Sequence, residues 1–302
     1  MDDEFTKKLE QMDNQLQARM GNQRQPPPNQ MAHKIYIVAA INQVLATPFY
    51  RVGSLLQTQA VNDTLKEKYT GVIDCCRRIV SEEGASKFFK GGLAAFLKAP
   101  SSLFLTTNLK TSFGHYNSSL QRFLGILAIE NLVFVLHYPL EFTRIRYGAQ
   151  VISKNKLDAM FFRGHIDCIQ RIVKLEGAQG LYRGCLTGVI MRCVNDGIVK
   201  GIMALQTNRK LDINTRSNIL LASVLMGFLA SYPFQLISSQ FAMTSGLKEK
   251  PYTGILDCMN KIYQKEGIFG FYRGFSIWAS FWVFMVAVGK AKYFMTGKRR
   301  NP

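Results

Sequence analysis

The sequence predicts an all-α membrane protein in which three pseudo-repeats each supply two spanning helices and one short helix. Two observations carry this prediction. A pattern of aromatic, glycine and acid recurs three times at fixed offsets. A long apolar run with an internal proline precedes every copy. The copies begin at Tyr69-Thr70-Gly71, Phe162-Arg163-Gly164 and Tyr252-Thr253-Gly254. Each continues through Asp-Cys and Glu-Gly to aromatic-base-Gly, ending at Gly91, Gly184 and Gly274. Gly71 to Gly84, Gly164 to Gly177 and Gly254 to Gly267 are the same interval of 13 residues. Repeats of about ninety residues are too long for a solenoid.

Each element follows from its residues. Residues 1–33 are rich in Gln and Asn and contain Pro26-Pro27-Pro28. They read as a polar, disordered arm with a short helix expected within 4–19, and their acids argue against a cleavable presequence. The repeats follow as 34–118, 119–213 and 214–302, the last with a short basic tail. The runs around Pro48, Pro139 and Pro233 read as kinked helices, because neighbouring helices can satisfy the carbonyl that proline frees. Val72, Ile73, Cys76, Ile79 and Val80 have helical spacing, which predicts a short amphipathic helix at an interface. Apolar runs at Leu93–Leu109, Leu186–Leu205 and Phe275–Val288 complete six spans.

Composition narrows the function. The chain has 38 Lys and Arg against 20 Asp and Glu, a formal net charge of +18, and 47% hydrophobic residues. One or two soluble domains would fit the length but not the repeat. The cations lie between apolar spans rather than in one stripe with aromatics, which points to anionic lipid or an anionic solute and away from nucleic acid. Cys75, Cys168 and Cys258 hold equivalent repeat positions, far apart around a three-fold axis, so no disulfide is expected among them. No cysteine spacing fits zinc or iron–sulfur ligation, and the histidines are isolated. No nucleophile–base constellation is present, so an enzyme is not expected and no metal or catalytic cofactor is implied.

The triple pattern resembles the mitochondrial carrier family over nearly all of residues 34–297. "TPFYRVGSLLQTQ", "HYPLEFTRIR", "SYPFQLISSQ" and "YTGILDC" are similar to its ADP/ATP carrier branch. The resemblance implies a six-helix bundle with three matrix helices, a central cavity, and multi-pass residence in the mitochondrial inner membrane. It also implies a gate in which Pro-x-acid-x-x-base motifs of different repeats pair. Here repeat one has Tyr50 and Gly53 at the acid and base positions, and repeat three has Gln235 and Ser238. Only repeat two keeps the pair, Glu141 and Arg144. An orphaned charge at membrane depth costs roughly 2.5–3.5 kcal/mol, so losing the other four charges together leaves fewer orphans. A local i,i+3 pair is the expected fate of Glu141 and Arg144. The stretches 109–114, 203–210 and 290–298 lack an acid and base in register for the opposite gate.

The family's solute contacts fall on Lys98, on Met191-Arg192, on Phe281 and on Gln43. Lys98 and Arg192 are the candidate substrate contacts, suited to a small anion. The alternative is that they pair with neighbours, since Arg192, Asp196 and Lys200 form an i,i+4 ladder. The family's cardiolipin sites are complete: Gly71, Gly164 and Gly254, with Lys90-Gly91, Arg183-Gly184 and Arg273-Gly274. A helix N-terminus there offers free N–H groups to a phosphate, although a plain cap would use the same residues. Glu83, Glu176 and Glu266 read as helix-end residues. Cardiolipin and other anionic lipids are therefore the expected partners. Together these readings suggest a carrier fold without transport activity, serving as an accessory structural subunit beside other subunits of an inner-membrane, respiratory-chain complex. A working exchanger of an anion or nucleotide is the alternative.

Overall fold

The computed structural model describes residues 28–62, 64–65, 67–113, 118–151, 161–206, 212–247 and 250–281. The expected helix in 4–19 and the stretch 290–298 lie outside these residues. The chain divides into two compact units, Met1–Val38 and Ala39–Pro302. Among the described residues there is no strand. The long helices are α1 (Pro28–Thr58), α3 (Gly92–Phe113), α4 (Ser119–Gly148), α6 (Cys185–Leu205) and α7 (Ile213–Met243). The short ones are α2 (Val72–Arg78), α5 (His165–Glu176) and α8 (Ile255–Glu266). Residues 275–281 are helical and open the last apolar run.

This is the expected order, with three differences. Helix α1 starts at Pro28, so residues 28–33 are helix rather than arm. Proline suits a first turn, where no N–H is needed. Helix α2 gives way to a π-helical turn over Ile79–Glu83, unlike its counterparts α5 and α8. Finally, three described helices are both long and apolar enough to cross a membrane: Lys34–Thr58, Leu120–Gly148 and Thr215–Met243. These are the proline-containing helices, and each runs on through Pro48, Pro139 or Pro233. Helices α3 and α6, with 22 and 21 residues, have the length to span; α3 is richer in Ser and Thr, and α6 carries the charges of Arg192, Asp196 and Lys200.

The repeated Asp-Cys has two jobs. Asp74, Asp167 and Asp257 accept the backbone N–H of Thr70, Arg163 and Thr253 at 3.1, 2.8 and 3.0 Å. Each bond ties down the residue before the N-cap glycine and puts negative charge at the positive end of the helix dipole. Cys75, Cys168 and Cys258 are fully buried under α2, α5 and α8, and all are free thiols. Burial pushes each thiol up to about 12.

The repeats close on one another through backbone. Gly91, Gly184 and Gly274 have φ of 91°, 87° and 78°, a region that favours glycine. A methyl added at Gly91 would stand 3.2 Å from the carbonyl oxygen of Arg144 in repeat two. At Gly184 it would stand 2.6 Å from that of Ser238 in repeat three, and at Gly274 3.4 Å from that of Gly53 in repeat one. Gly53, Arg144 and Ser238 all stand five residues after their proline. The residue before the proline braces the same turn: Tyr138 and Tyr232 donate to the carbonyls of Arg183 and Arg273 at 2.9 and 2.8 Å.

Gly71, Gly164 and Gly254 are different. Their backbones are extended, and a methyl there would meet nothing within 4 Å. Gly184→Ala is therefore expected to cost about 2 kcal/mol or more through backbone strain and collision, against under about 1 kcal/mol for Gly164→Ala at an open cap. Thermal unfolding of the two variants in one detergent, followed by circular dichroism, measures the difference.

Candidate functional site

The long helices of the second unit surround a cavity of about 650 Å3. Gln43, Lys98, Met191, Arg192 and Phe281 all line it, so the positions that the family resemblance marked for solute contact do converge. The gate positions Tyr50, Glu141, Arg144, Gln235 and Ser238 line it as well.

The cations on its wall are engaged. Lys98 Nζ is 2.6 Å from Glu141 Oε2, which links α3 of repeat one to α4 of repeat two. Arg144 lies further from the same oxygen, at 3.8 Å. The expected local Glu141–Arg144 pair is thus present but secondary, because an ammonium from the facing helix reaches the carboxylate more closely. Arg192 and Lys200 flank Asp196 Oδ2 at 3.6 and 3.7 Å, which is the ladder read from the sequence. Phe134 offers its ring to both Lys98 Nζ (5.7 Å) and the Arg192 guanidinium (5.3 Å).

Aromatic and neutral polar groups hold the seams where gate charges are absent. The Arg144 guanidinium lies 3.4 Å from the Tyr50 ring centroid. A cation–π contact therefore joins the acid position of repeat one to the base position of repeat two. Tyr50 meets Trp278 edge-on at 4.2 Å, and Phe49 packs on Phe281 at 5.0 Å. Gly53 makes room for this: a methyl on it would come within 2.8 Å of the Trp278 indole nitrogen. Below these rings, Gln57 donates to Tyr232 (3.0 Å) and accepts from Ser239 (2.9 Å), while its carbonyl accepts from Gln240 (3.2 Å). Ser238 donates to the Gly184 carbonyl at 2.8 Å.

Four contributors escaped the motif reading. Arg51 is buried and bonds Glu83 at 2.7 Å, the Gly148 carbonyl at 3.2 Å and the Lys87 carbonyl. Glu83 is thereby more than a helix end, since it neutralises a buried arginine. Glu130 on α4 takes Lys110 of α3 at 2.6 Å and also Lys200 of α6. A charged chain therefore does cross the part of the bundle farther from α2, α5 and α8, where none was expected. Its acid sits on an odd-numbered spanning helix, outside the stretches where that gate was sought. The available signal was a lone charge inside an apolar run, as in "PFYRVG" and "LAIENLV", which is expensive in a membrane unless partnered. Trp278 had no such signal.

The three cations of the lipid set are partly turned inward. Lys90 donates to the Gln150 carbonyl at 2.8 Å and lies over Tyr147 at 4.8 Å. Burial, helped by the nearby Arg51 charge, lowers its ammonium to about 7. Arg183 stands 3.7 Å from Glu176, and Arg273 contacts Glu266. Glu176 also accepts from Ser245 Oγ and the Gly246 N–H, both at 2.9 Å. Burial opposes its charge, but these hydrogen bonds with Lys250 and Arg183 hold its carboxyl below the ordinary range.

Comparison with known proteins agrees with this architecture. The family model described as mitochondrial carrier protein matches residues 36–113, 121–204 and 218–296. ADP/ATP translocase 2 of Bos taurus is 33% identical over 264 residues, covering 79% of this chain and 86% of the relative. ADP/ATP translocase 4 of Bos taurus is 32% identical over 260 residues and 79% of each chain. ADP,ATP carrier protein 3 of Saccharomyces cerevisiae is 30% identical over 264 residues, 79% of this chain and 83% of that one. The chain belongs to the mitochondrial carrier family and has its three-repeat helical fold. Proteins of this family are transporters rather than enzymes.

The buried Arg51–Glu83 pair makes a quantitative expectation. Arg51→Met strands the carboxylate of Glu83 and should cost about 3–5 kcal/mol, whereas the double change Arg51→Met with Glu83→Met should recover most of that loss. Denaturant unfolding of both variants completes the cycle.

Proposed function

We propose that this chain is a carrier-fold protein of the mitochondrial inner membrane that does not exchange solutes. In this reading it serves as an accessory structural subunit of a larger inner-membrane assembly, such as a respiratory-chain complex. The observation that carries the reading is the state of the gate positions. Alternating access needs two states whose balance a solute can tip. A ring of breakable ion pairs supplies that in the family. Here Tyr50, Gly53, Gln235 and Ser238 carry no charge, and the seams rest on an edge-on ring pair, a cation–π contact and neutral hydrogen bonds. Lys98 and Arg192 support the reading too, since each faces a carboxylate of the protein itself.

A second reading has its own support. The cavity is roomy and has charged side chains on its wall, and the relatives named above are ADP/ATP translocases. On that reading Lys98 and Arg192 receive a small anion or a nucleotide. Purified protein in cardiolipin-containing liposomes separates the two. No specific exchange of phosphate, small carboxylates, ADP or ATP above empty vesicles is the expected result, and inhibitor-sensitive flux would establish the second. Gentle solubilisation of inner membranes should show the chain migrating with a large complex; a free species near its own mass of 34.2 kDa plus detergent would remove the subunit role.

Cardiolipin belongs to the proposal as a structural lipid. The open N-termini at Gly71, Gly164 and Gly254 leave room for a phosphate, and Lys90-Gly91, Arg183-Gly184 and Arg273-Gly274 would supply the cations. The three sites should respond unequally to pH. Lys90 is charged below about 7 and loses its charge above it, while arginines keep theirs. Cardiolipin retained per protein, counted by native mass spectrometry, should fall from three toward two as the pH is raised through 7, and Lys90→Arg should abolish the fall.

A further inference from the structure

Glu130 and Asp196 are carboxylates at places where the other repeats have none. Nine residues before the proline, repeats one and three have Ala39 and Val224 in place of Glu130. Twelve residues after the turn glycine, they have Leu103 and Val286 in place of Asp196. Both acids are largely buried, with side chains 16% and 19% exposed. Each sits between two cations from different turns or helices. Glu130 takes Lys110 on one oxygen and Lys200 on the other. Asp196 takes Arg192 and Lys200. A continuous chain of alternating charge, Lys110–Glu130–Lys200–Asp196–Arg192, thus crosses α3, α4 and α6. Arg192, Asp196 and Lys200 form part of the cavity wall.

We propose that Glu130 and Asp196 are internal counter-anions that withhold Lys110, Lys200 and Arg192 from phosphate-bearing solutes, and so set this cavity against nucleotides. The inference deepens the reading that the chain does not exchange nucleotides, and rests on it. A nucleotide polyphosphate needs several charge-assisted hydrogen bonds to give up its water. To take Lys200 it must displace two carboxylates. Each of those carboxylates would then keep only one of its two cations, Lys110 for Glu130 and Arg192 for Asp196, beside an incoming polyanion of the same sign. The penalty comes from the protein's own acids rather than from a shortage of cations. Removing the acids, with every base left in place, should therefore create nucleotide binding.

The test uses the full-length chain in detergent, with ADP as the probe at low and at physiological salt. Binding is read from the shift in melting temperature and from titration of a fluorescent ADP analogue. The E130Q/D196N variant should bind ADP at least about tenfold more tightly than the wild type, and salt should weaken that binding. E130D, which keeps the charge, should behave as the wild type. If the double variant melts early, D196N alone is read in the same way, because Glu130 then still bridges Lys110 and Lys200. Wild-type protein that binds ADP as tightly as the variants would overturn the inference, as would folded variants that gain nothing. Wild-type flux of a different anion in liposomes would overturn the accessory reading while leaving this inference standing, so the two failures are distinguishable.

Discussion

The rest of the structure depends on a contact between backbones. At three places a glycine with positive φ lays its α-carbon against a carbonyl of the next repeat: Gly91 on Arg144, Gly184 on Ser238, Gly274 on Gly53. The series runs from one to two, two to three and three to one, and so closes a ring. The close approach is made by backbone in all three, and at one of them Ser238 Oγ adds a hydrogen bond to the Gly184 carbonyl. A residue with a Cβ would be strained at all three positions, in a backbone region that L side chains rarely adopt, and at Gly184 it would also collide with an oxygen at 2.6 Å. The residue on the receiving side is free to be anything, and it is an arginine, a serine and a glycine in the three copies. Those receiving residues are the base positions of the gate motif.

That arrangement explains how an architecture persists while the residues at the gate positions change. The ring is set by glycines and carbonyls, and the turns into the even helices are braced by Tyr138 and Tyr232. Charge at the gate positions adds nothing to either. Substituting Gly53 for a base does not open the ring; it opens a niche, and Trp278 fills it. Tyr50 then stands between that indole and Arg144, so one aromatic ring serves two seams. Polar groups removed from a membrane interior in sets leave few unpaired partners behind. Glu141, the acid whose base partner is lost, is not orphaned, because Lys98 lies across from it on α3.

Much of this was legible from residues. The periodic Gly, Asp and Cys place the short helices, since each type meets a local demand: a cap, a dipole, a buried seat. The ladder of Arg192, Asp196 and Lys200 follows from helical spacing alone. What escaped was long-range. Nothing local says that Lys98 faces Glu141, 43 residues away, or that Arg51 takes Glu83 across 32. Glu130 was readable only as a lone charge in an apolar run, and its two lysines belong to other helices. The glycines also divided in a way that motif reading hides. Gly91, Gly184 and Gly274 are required by the fold itself, whereas Gly71, Gly164 and Gly254 have no steric duty inside the chain.

The stacking of Arg144 on Tyr50 has an electrical side. An energised membrane works on a protein through the charges it can move, at about 2.3 kcal/mol per charge for each 100 mV. Around this gate the formal charges are those of one carboxylate, Glu141, and of the two cations that face it, Lys98 and Arg144, a net of +1 held by ion pairs. Tyr50, Gly53, Gln235 and Ser238 give the field nothing to pull. A seam built from rings and amides is therefore nearly silent to voltage. At these four positions an energised membrane and one whose potential has collapsed would act alike.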